Sequence, residues 1–220
     1  VRAAPTVVPS ERPGPEGGKR DANRRARAEA LGSAALALML DRGVQAVSID
    51  EIVSRAGVAK GSFYRYFEDK TALVAAIVEP LGSGLVQAFD RCREELAATE
   101  PGAPLLDAYA RFAGTLAAVI FANEPVARLY LQERRGPDHG ERAPIAALAR
   151  RVDEGALALA RFASGRGLTR PGESRVSAAV VVGAVEHLAA LALAGDHSLR
   201  TPAVALEFIG IILEGVRATR

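Results

Sequence analysis

Between positions 60 and 70 the chain brings Lys60, Gly61, Ser62, Tyr64, Arg65, Tyr66 and Lys70 into one short stretch. A lysine can donate to O6 or N7 of guanine in the major groove, and a glycine beside it lets the backbone come close. A serine hydroxyl bonds a base edge or a phosphate. Tyr64 and Tyr66 carry hydroxyl donors on stiff rings, while Arg65 and Lys70 supply positive charge suited to phosphate. The same residues would also serve as a solvated face, so their use depends on what holds them.

The elements that must position them are legible upstream. Ser48 and Glu51 form an S-x-x-E capping box, which predicts a helix starting at Ile49 with Ile49, Ile52, Val53 and Ala56 on one face. Gly57 then supplies the permissive backbone of a tight turn, and Val58 follows as a buried turn residue. A short helix over 59–66 places Phe63 and Phe67 four residues apart facing inward. Lys60, Gly61, Ser62, Tyr64, Arg65 and Tyr66 are left for other surfaces. The arrangement is a helix-turn-helix with a polar, basic and aromatic second helix.

The run from Ser48 to Leu73, which ends in A-G-V-A-K-G-S-F-Y-R-Y-F-E-D-K-T-A-L, resembles the DNA-binding signature of TetR-type transcriptional regulators. The likeness extends back through Gly43 to the apolar run Leu31–Leu40, about fifty residues in all. It implies base contacts from Lys60 and Gly61, and backbone contacts from Ser48, Tyr64, Tyr66 and Lys70. Arg65 stands where the family often has an aromatic residue, which adds a phosphate contact. Ala59 stands where a hydroxyl residue is common, which removes one. Asp50, on the preceding helix, can accept from cytosine N4 but repels phosphates, and is not counted among the contacts. The family further implies a mechanism: a bound ligand shifts the helix beginning near Lys70 and changes the spacing of two recognition helices.

Charge and composition bound the alternatives. The formal net charge is only +2, so bulk polycation behaviour is excluded. Residues 19–79 hold ten Lys or Arg against eight Asp or Glu, whereas residues 80–220 hold sixteen of each. The basic run Lys19–Arg27 could lie along or into the minor groove as an N-terminal arm. A single cysteine, Cys92, excludes an internal disulfide framework, and three histidines make a structural zinc cluster improbable. No metal or cofactor is expected, and a reducing, cytoplasmic setting fits. Leu31–Leu40 after the basic run imitates a secretory signal but lacks a cleavage site. Val176–Gly195 imitates a membrane span but carries Glu186 and His187 at its middle, so no membrane partner is expected. An enzyme is not expected either: Leu81-Gly82-Ser83-Gly84 is not a nucleophile elbow. Cys92, between Arg91 and Arg93, leaves open a redox-responsive thiol, because those arginines could lower its pKa. A helical scaffold without DNA binding is the other alternative.

Breakers divide the rest into helices near 71–98, 104–122, 125–134, 144–164, 173–195 and 202–217, so an all-α protein is expected. Residues 1–18, rich in Pro and Gly, read as a disordered tail. Residues 19–70 read as the helix-turn-helix DNA-binding domain, and 71–220 as a ligand-binding and dimerisation bundle. Tyr109, Phe112, Leu116, Ile120 and Phe121 make an apolar wall for a small, hydrophobic effector, with Asn123, Tyr130, Glu186 and His187 as candidate polar groups. Ala205, Ile209, Ile212, Leu213 and Val216 form one stripe on the last helix. Ala179, Val180, Gly183, Ala184, His187, Leu188 and Leu191 form another on the helix before it. Paired with a second copy, these stripes predict a homodimer on a partly palindromic operator, with the chain acting as a repressor.

Overall fold

A computed structural model describes residues 19–100, 105–169 and 174–216. The expected tail over 1–18 lies outside the described residues. Helix α1 (Lys19–Arg42) runs to Gly43, whose φ of +83° turns the chain. Helix α2 (Ile49–Ala56) begins at Ser48, whose hydroxyl accepts from the Glu51 N–H while the Glu51 carboxylate accepts from the Ser48 N–H at 2.8 Å. The predicted capping box is thus present. Helix α3 (Lys60–Phe63) follows, and Asp69 caps α4 (Lys70–Ala98) by accepting from the Ala72 N–H at 2.7 Å. Then come α5 (Leu106–Ala122), α6 (Glu124–Glu133), a 3-10 turn at Gly140–Arg142, and α7 (Ala143–Gly165). Helix α8 (Ser174–Leu193), a second 3-10 turn at His197–Arg200, and α9 (Pro202–Val216) complete the order. Among the described residues there is no strand, and the expected all-helical architecture is what the chain adopts.

Two local expectations change. The basic run is part of α1 rather than a separate arm, because Ala22, Ala26, Ala28 and Ala30 interleave with the arginines and favour helix. The helix expected over 59–66 is a single α-turn, Lys60–Phe63, continued by hydrogen-bonded turns from Tyr66 N–H and Phe67 N–H to the Phe63 carbonyl.

The main core is contiguous across position 70. Leu31, Met39, Val44, Ile52 and Phe63 share it with Leu73, Val74 and Leu81 of α4, Leu129 and Tyr130 of α6, and Ile145 and Leu148 of α7. Helix α1 therefore rests on both α4 and α6. A second cluster joins Cys92 and Leu96 to Ala108, Leu159, Ala163 and Leu168. Helices α4 and α8 are both long and apolar enough to cross a membrane by length and composition. In α4 the apolar face is taken up by the core. In α8 only Ala178, Val182, Ala192 and Leu193 are buried, and Val176, Val180 and Leu191 are exposed.

The stripe expected on α9 does not face outward. Ile209 is buried, and Ala205, Ile212 and Leu213 are half-buried and line the space that α5, α7 and α8 also border, with α9 resting on α5. Leu206 and Ile211 are the exposed large residues of α9. The side chain of Val216 lies outside the described residues.

Candidate nucleic-acid interface

The turn between α2 and α3 is set by Gly57. With φ +67° and ψ 32° it lets the Gly57 N–H reach Ser54 O at 3.2 Å and the Val58 N–H reach Val53 O at 3.0 Å, closing the end of α2. Phe63 is fully buried, meets Phe67 at 5.8 Å between ring centroids, and meets Tyr64 edge-on at 5.4 Å. Removing a buried ring of this kind costs about 3–5 kcal/mol, so Phe63 is the anchor that fixes how α3 presents its other residues.

Those other residues form a polar surface. Lys60, Gly61, Tyr64 and Arg65 are exposed, and Ser62 and Tyr66 are half-buried. The Arg65 guanidinium lies over the Tyr66 ring, 5.4 Å from its centroid, with Nη2 3.5 Å from the hydroxyl. A Cβ built on Gly61 would meet nothing within 4 Å, so the chain's own packing has no need of a glycine there. Lys60 Nζ is 2.7 Å from Asp50 Oδ1, and this hydrogen-bonded pair raises the lysine's pKa. Both groups stand in water, where such a pair is weak and readily exchanged for another partner. Ser48 is exposed at the start of α2, with its hydroxyl engaged by Glu51.

Lys70 departs from the expectation of a phosphate contact. It is 9 % exposed, and its Nζ donates to Val47 O at 2.7 Å, Val44 O at 3.2 Å and Gln45 O at 3.5 Å. It also pairs with Glu141 Oε1 at 3.2 Å; a hydrogen bond from the Glu141 backbone first, and then Lys70, hold that carboxyl below its ordinary pKa. The ammonium is consumed by the turn after α1, so it braces the helix-turn-helix from behind.

Farther along the chain, α5, α7, α8 and α9 line a half-open cavity of about 900 Å3. Tyr109, Phe112, Leu116, Ile120 and Phe121 all line it, as expected, together with Phe89 and Ile209, which sequence reasoning missed. A smaller space of about 70 Å3 adjoins it, shares Phe89, Phe112, Leu116 and Ile120, and reaches Tyr130 and Glu186. Burial pushes the Tyr109 and Tyr130 hydroxyls up to about 12, so both remain protonated donors. His187 does not belong to this site. The inward stripe of α8 is Val181, Val185, Leu188, Ala189 and Ala192, and His187 falls on the exposed side of the same helix. Asn123 is spent on the Val119 carbonyl, 2.9 Å away.

Cys92 is not poised as a redox thiol. It is 2 % exposed, and burial, with a smaller contribution from Glu95, pushes its pKa up to about 12. Arg91 and Arg93 are exposed, and Arg93 is paired with Asp90 at 3.2 Å instead of with the sulfur.

Residues 31–77, which include the capping box, the Gly57 turn and the exposed face of α3, match the model of bacterial regulatory proteins of the tetR family. Residues 31–77 therefore carry a DNA-binding segment of the TetR type. Among curated relatives, the HTH-type transcriptional activator FasR of Mycolicibacterium smegmatis is 42 % identical over 82 residues, 34 % of this chain and 37 % of that protein. The chain spans 15 to 39 % of the length of the curated relatives it matches. Among solved structures, the TetR-family regulator PfmR from Thermus thermophilus aligns with a TM-score of 0.61 at 22 % identity, over 92 % of this chain and 98 % of that one. FadR from Bacillus subtilis, solved in complex with stearoyl-CoA, aligns with a TM-score of 0.62 at 16 % identity, over 86 % of this chain and 99 % of that one. These two likenesses extend the TetR-like fold through the C-terminal helices.

Proposed function

We propose that this chain is a DNA-binding transcriptional repressor of the TetR type, released from its operator by a small hydrophobic effector. Residues 19–70 form the part that reads DNA and 71–220 the part that binds effector and a second copy. The observation that carries the reading is the outward face of α3: Lys60, Gly61, Tyr64 and Arg65 are exposed at the helix that Phe63 and the Gly57 turn hold in place. Lys60 and Gly61 read bases in the major groove. Ser48, Ser62, Tyr64, Arg65 and Tyr66 hold phosphates and fix the register.

One such helix covers a single half-site, so specific binding calls for two copies on a partly palindromic operator. The exposed apolar side of α8, with Val176, Val180, His187 and Leu191, is the face on which a second copy of the chain would close. This reading also accounts for an apolar helix that buries little of itself. A membrane is the poorer partner for it, because Glu186 at its middle is paired with Arg134 and bonded by the Tyr130 hydroxyl.

The effector site is the cavity between α5, α7, α8 and α9. About 900 Å3 is near the upper end of the 300–1,000 Å3 usual for small-molecule sites, and the aromatic and aliphatic walls suit an apolar body. Release then requires that the effector bind one dimer geometry better than the other, with α4 carrying the shift toward α3. Such a regulator operates in the cytoplasm.

The test is selection of binding sequences from random duplex DNA, followed by footprinting of the enriched sites. Enrichment of a two-fold motif whose affinity falls steeply with salt supports the reading. Uniform recovery of all sequences would sink it, and a protected site upstream of a promoter that raises transcription would replace repressor with activator.

A further inference from the structure

Glu133 and Arg134 stand on either side of one peptide bond at the end of α6 and serve different neighbours. Glu133 is 4 % exposed. Its Oε1 accepts the Val44 N–H at 3.1 Å and its Oε2 is engaged by the Arg142 guanidinium. Val44 belongs to the turn between α1 and α2. Beside it, Gly43 has φ +83°, and a Cβ there would lie 3.1 Å from Glu133 Oε1, so backbone passes directly against the carboxylate. Lys70 holds the same turn through the Val44 and Val47 carbonyls and is itself paired with Glu141, next in sequence to Arg142. Residues 133–142 thus grip the turn behind the helix-turn-helix at two points.

Arg134 reaches the other way. Its Nη1 pairs with Glu186 of α8, its Nη2 lies 3.4 Å from Asp153 Oδ1 of α7, and its guanidinium sits 5.6 Å from the centroid of the Tyr130 ring. The Tyr130 hydroxyl donates to Glu186 Oε1 at 3.2 Å, and both residues line the small space that adjoins the large cavity.

We propose that Glu133 and Arg134 are the positioning pair through which filling of this inner space moves the turn between α1 and α2, and with it α3. The inference rests on the effector-response reading above and adds a route separate from α4. A ligand entering between Tyr130, Val181 and Val185 spreads α6 from α8 and draws Glu186 away from Arg134. Arg134 is the end that yields first, because its Nε and Nη1 are buried without a hydrogen-bond acceptor among the described residues, the Nη1 contact with Glu186 being an ion pair only. Glu133 rides on the same helical turn. It cannot move without either carrying the Val44 N–H along or leaving it unpaired in a buried place, and that gives two discrete arrangements in place of a graded one.

The test reads backbone amide exchange at Val44 in the full chain, with no DNA or effector needed. Glu133→Ala should speed exchange at Val44 by about tenfold or more, and Glu133→Gln by much less, because its side-chain carbonyl still accepts the bond. Glu186→Gln and the space-filling Val181→Phe, both on α8, should each speed it by about fivefold. Neither should add to the effect of Glu133→Ala. Arg111→Ala, which breaks an exposed pair with Glu95, serves as the control and should leave Val44 unchanged. Val44 exchange indifferent to both α8 variants, or effects that simply add in the double variants, would overturn the coupling. Failure to select an operator would instead sink the DNA-binding reading and leave this result standing.

Discussion

Lys60 and Asp50 face each other across the turn between α2 and α3, with Nζ 2.7 Å from one carboxylate oxygen and 3.0 Å from the other. A lysine donates to guanine O6 or N7, and an aspartate accepts from cytosine N4. Of the two, Lys60 is the base reader, and Asp50 holds it in place while opposing the phosphates. Lys60→Ala should relax selection at one operator position by about tenfold or more, leaving other positions unchanged. Asp50→Ala should leave the guanine preference in place while raising affinity for all sequences, since a negative charge near phosphates is removed. Base selection in which Lys60→Ala is indistinguishable from the parent would contradict the assignment.

Gly61 separates stability from recognition. The space around its Cα is open, and alanine is the better helix former by about 0.5–1 kcal/mol in a helix interior. Gly61→Ala should therefore melt no lower than the parent chain yet bind operator more weakly, because the added methyl group keeps the backbone off the base edges. A melting point lowered by several degrees would show that packing, not DNA, requires the glycine.

Lys70 should behave in the opposite manner. Replacing it by alanine strips the Val44 and Val47 carbonyls of their donor, a loss of about 1–3 kcal/mol for each buried group left unsatisfied. Thermal stability should fall while the salt dependence of DNA affinity stays as in the parent. A true phosphate contact would lower that slope by roughly one unit. That slope, measured on Lys70→Ala, separates the two roles.

What could be read from residues alone followed the range of the interactions involved. The α2 cap, the Gly57 turn and the inward Phe63 are local, within about fifteen residues, and composition and spacing were enough to place them. Lys70 was legible as a basic residue at a helix start, but its acceptors lie 23 to 26 residues earlier on a turn whose carbonyl directions no sequence pattern encodes. The Glu133 bond to Val44 spans 89 residues and gave no local sign beyond an acidic residue in an amphipathic helix. His187 escapes the sequence pattern for a different reason. On a helix apolar nearly all round, the inward stripe cannot be phased without its neighbours, and one step from Glu186 to His187 crosses from interior to surface. On α9 the stripe is legible, but that it borders a space shared with α5, α7 and α8 is set by distant parts of the chain.

Cys92 should react as a core residue. With its thiol pushed up to about 12 by burial, the thiolate is scarce at neutral pH and alkylating reagents reach it only through opening of the α4, α5 and α7 cluster. Labelling by iodoacetamide at pH 8 should be slow in the native chain and rapid in denaturant. Peroxide treatment should leave operator affinity unchanged. Fast native labelling would restore the redox reading that the geometry sets aside.

Glu51 gives the interface a defined acid limit. Its pKa is lowered from 4.5 to about 2, chiefly by the hydrogen bond from the Ser48 N–H, then by the Ser48 hydroxyl and by Arg42. A carboxylate whose folded pKa lies below its unfolded value contributes stability that is complete above about 4.5 and is lost as pH falls toward about 2. Glu51→Gln should accordingly melt below the parent chain at pH 7, with the gap closing across that window and absent at its lower end. Because the leading cause is a backbone hydrogen bond and not the Arg42 pair at 2.7 Å, raising salt to about 1 M should leave most of the gap at pH 7 intact. Melting curves of the two proteins from pH 7 to 2, at low and high salt, decide the matter. A gap that persists at pH 2 would mean that the glutamate stabilises α2 without its charge, and one abolished by salt would transfer the effect to Arg42.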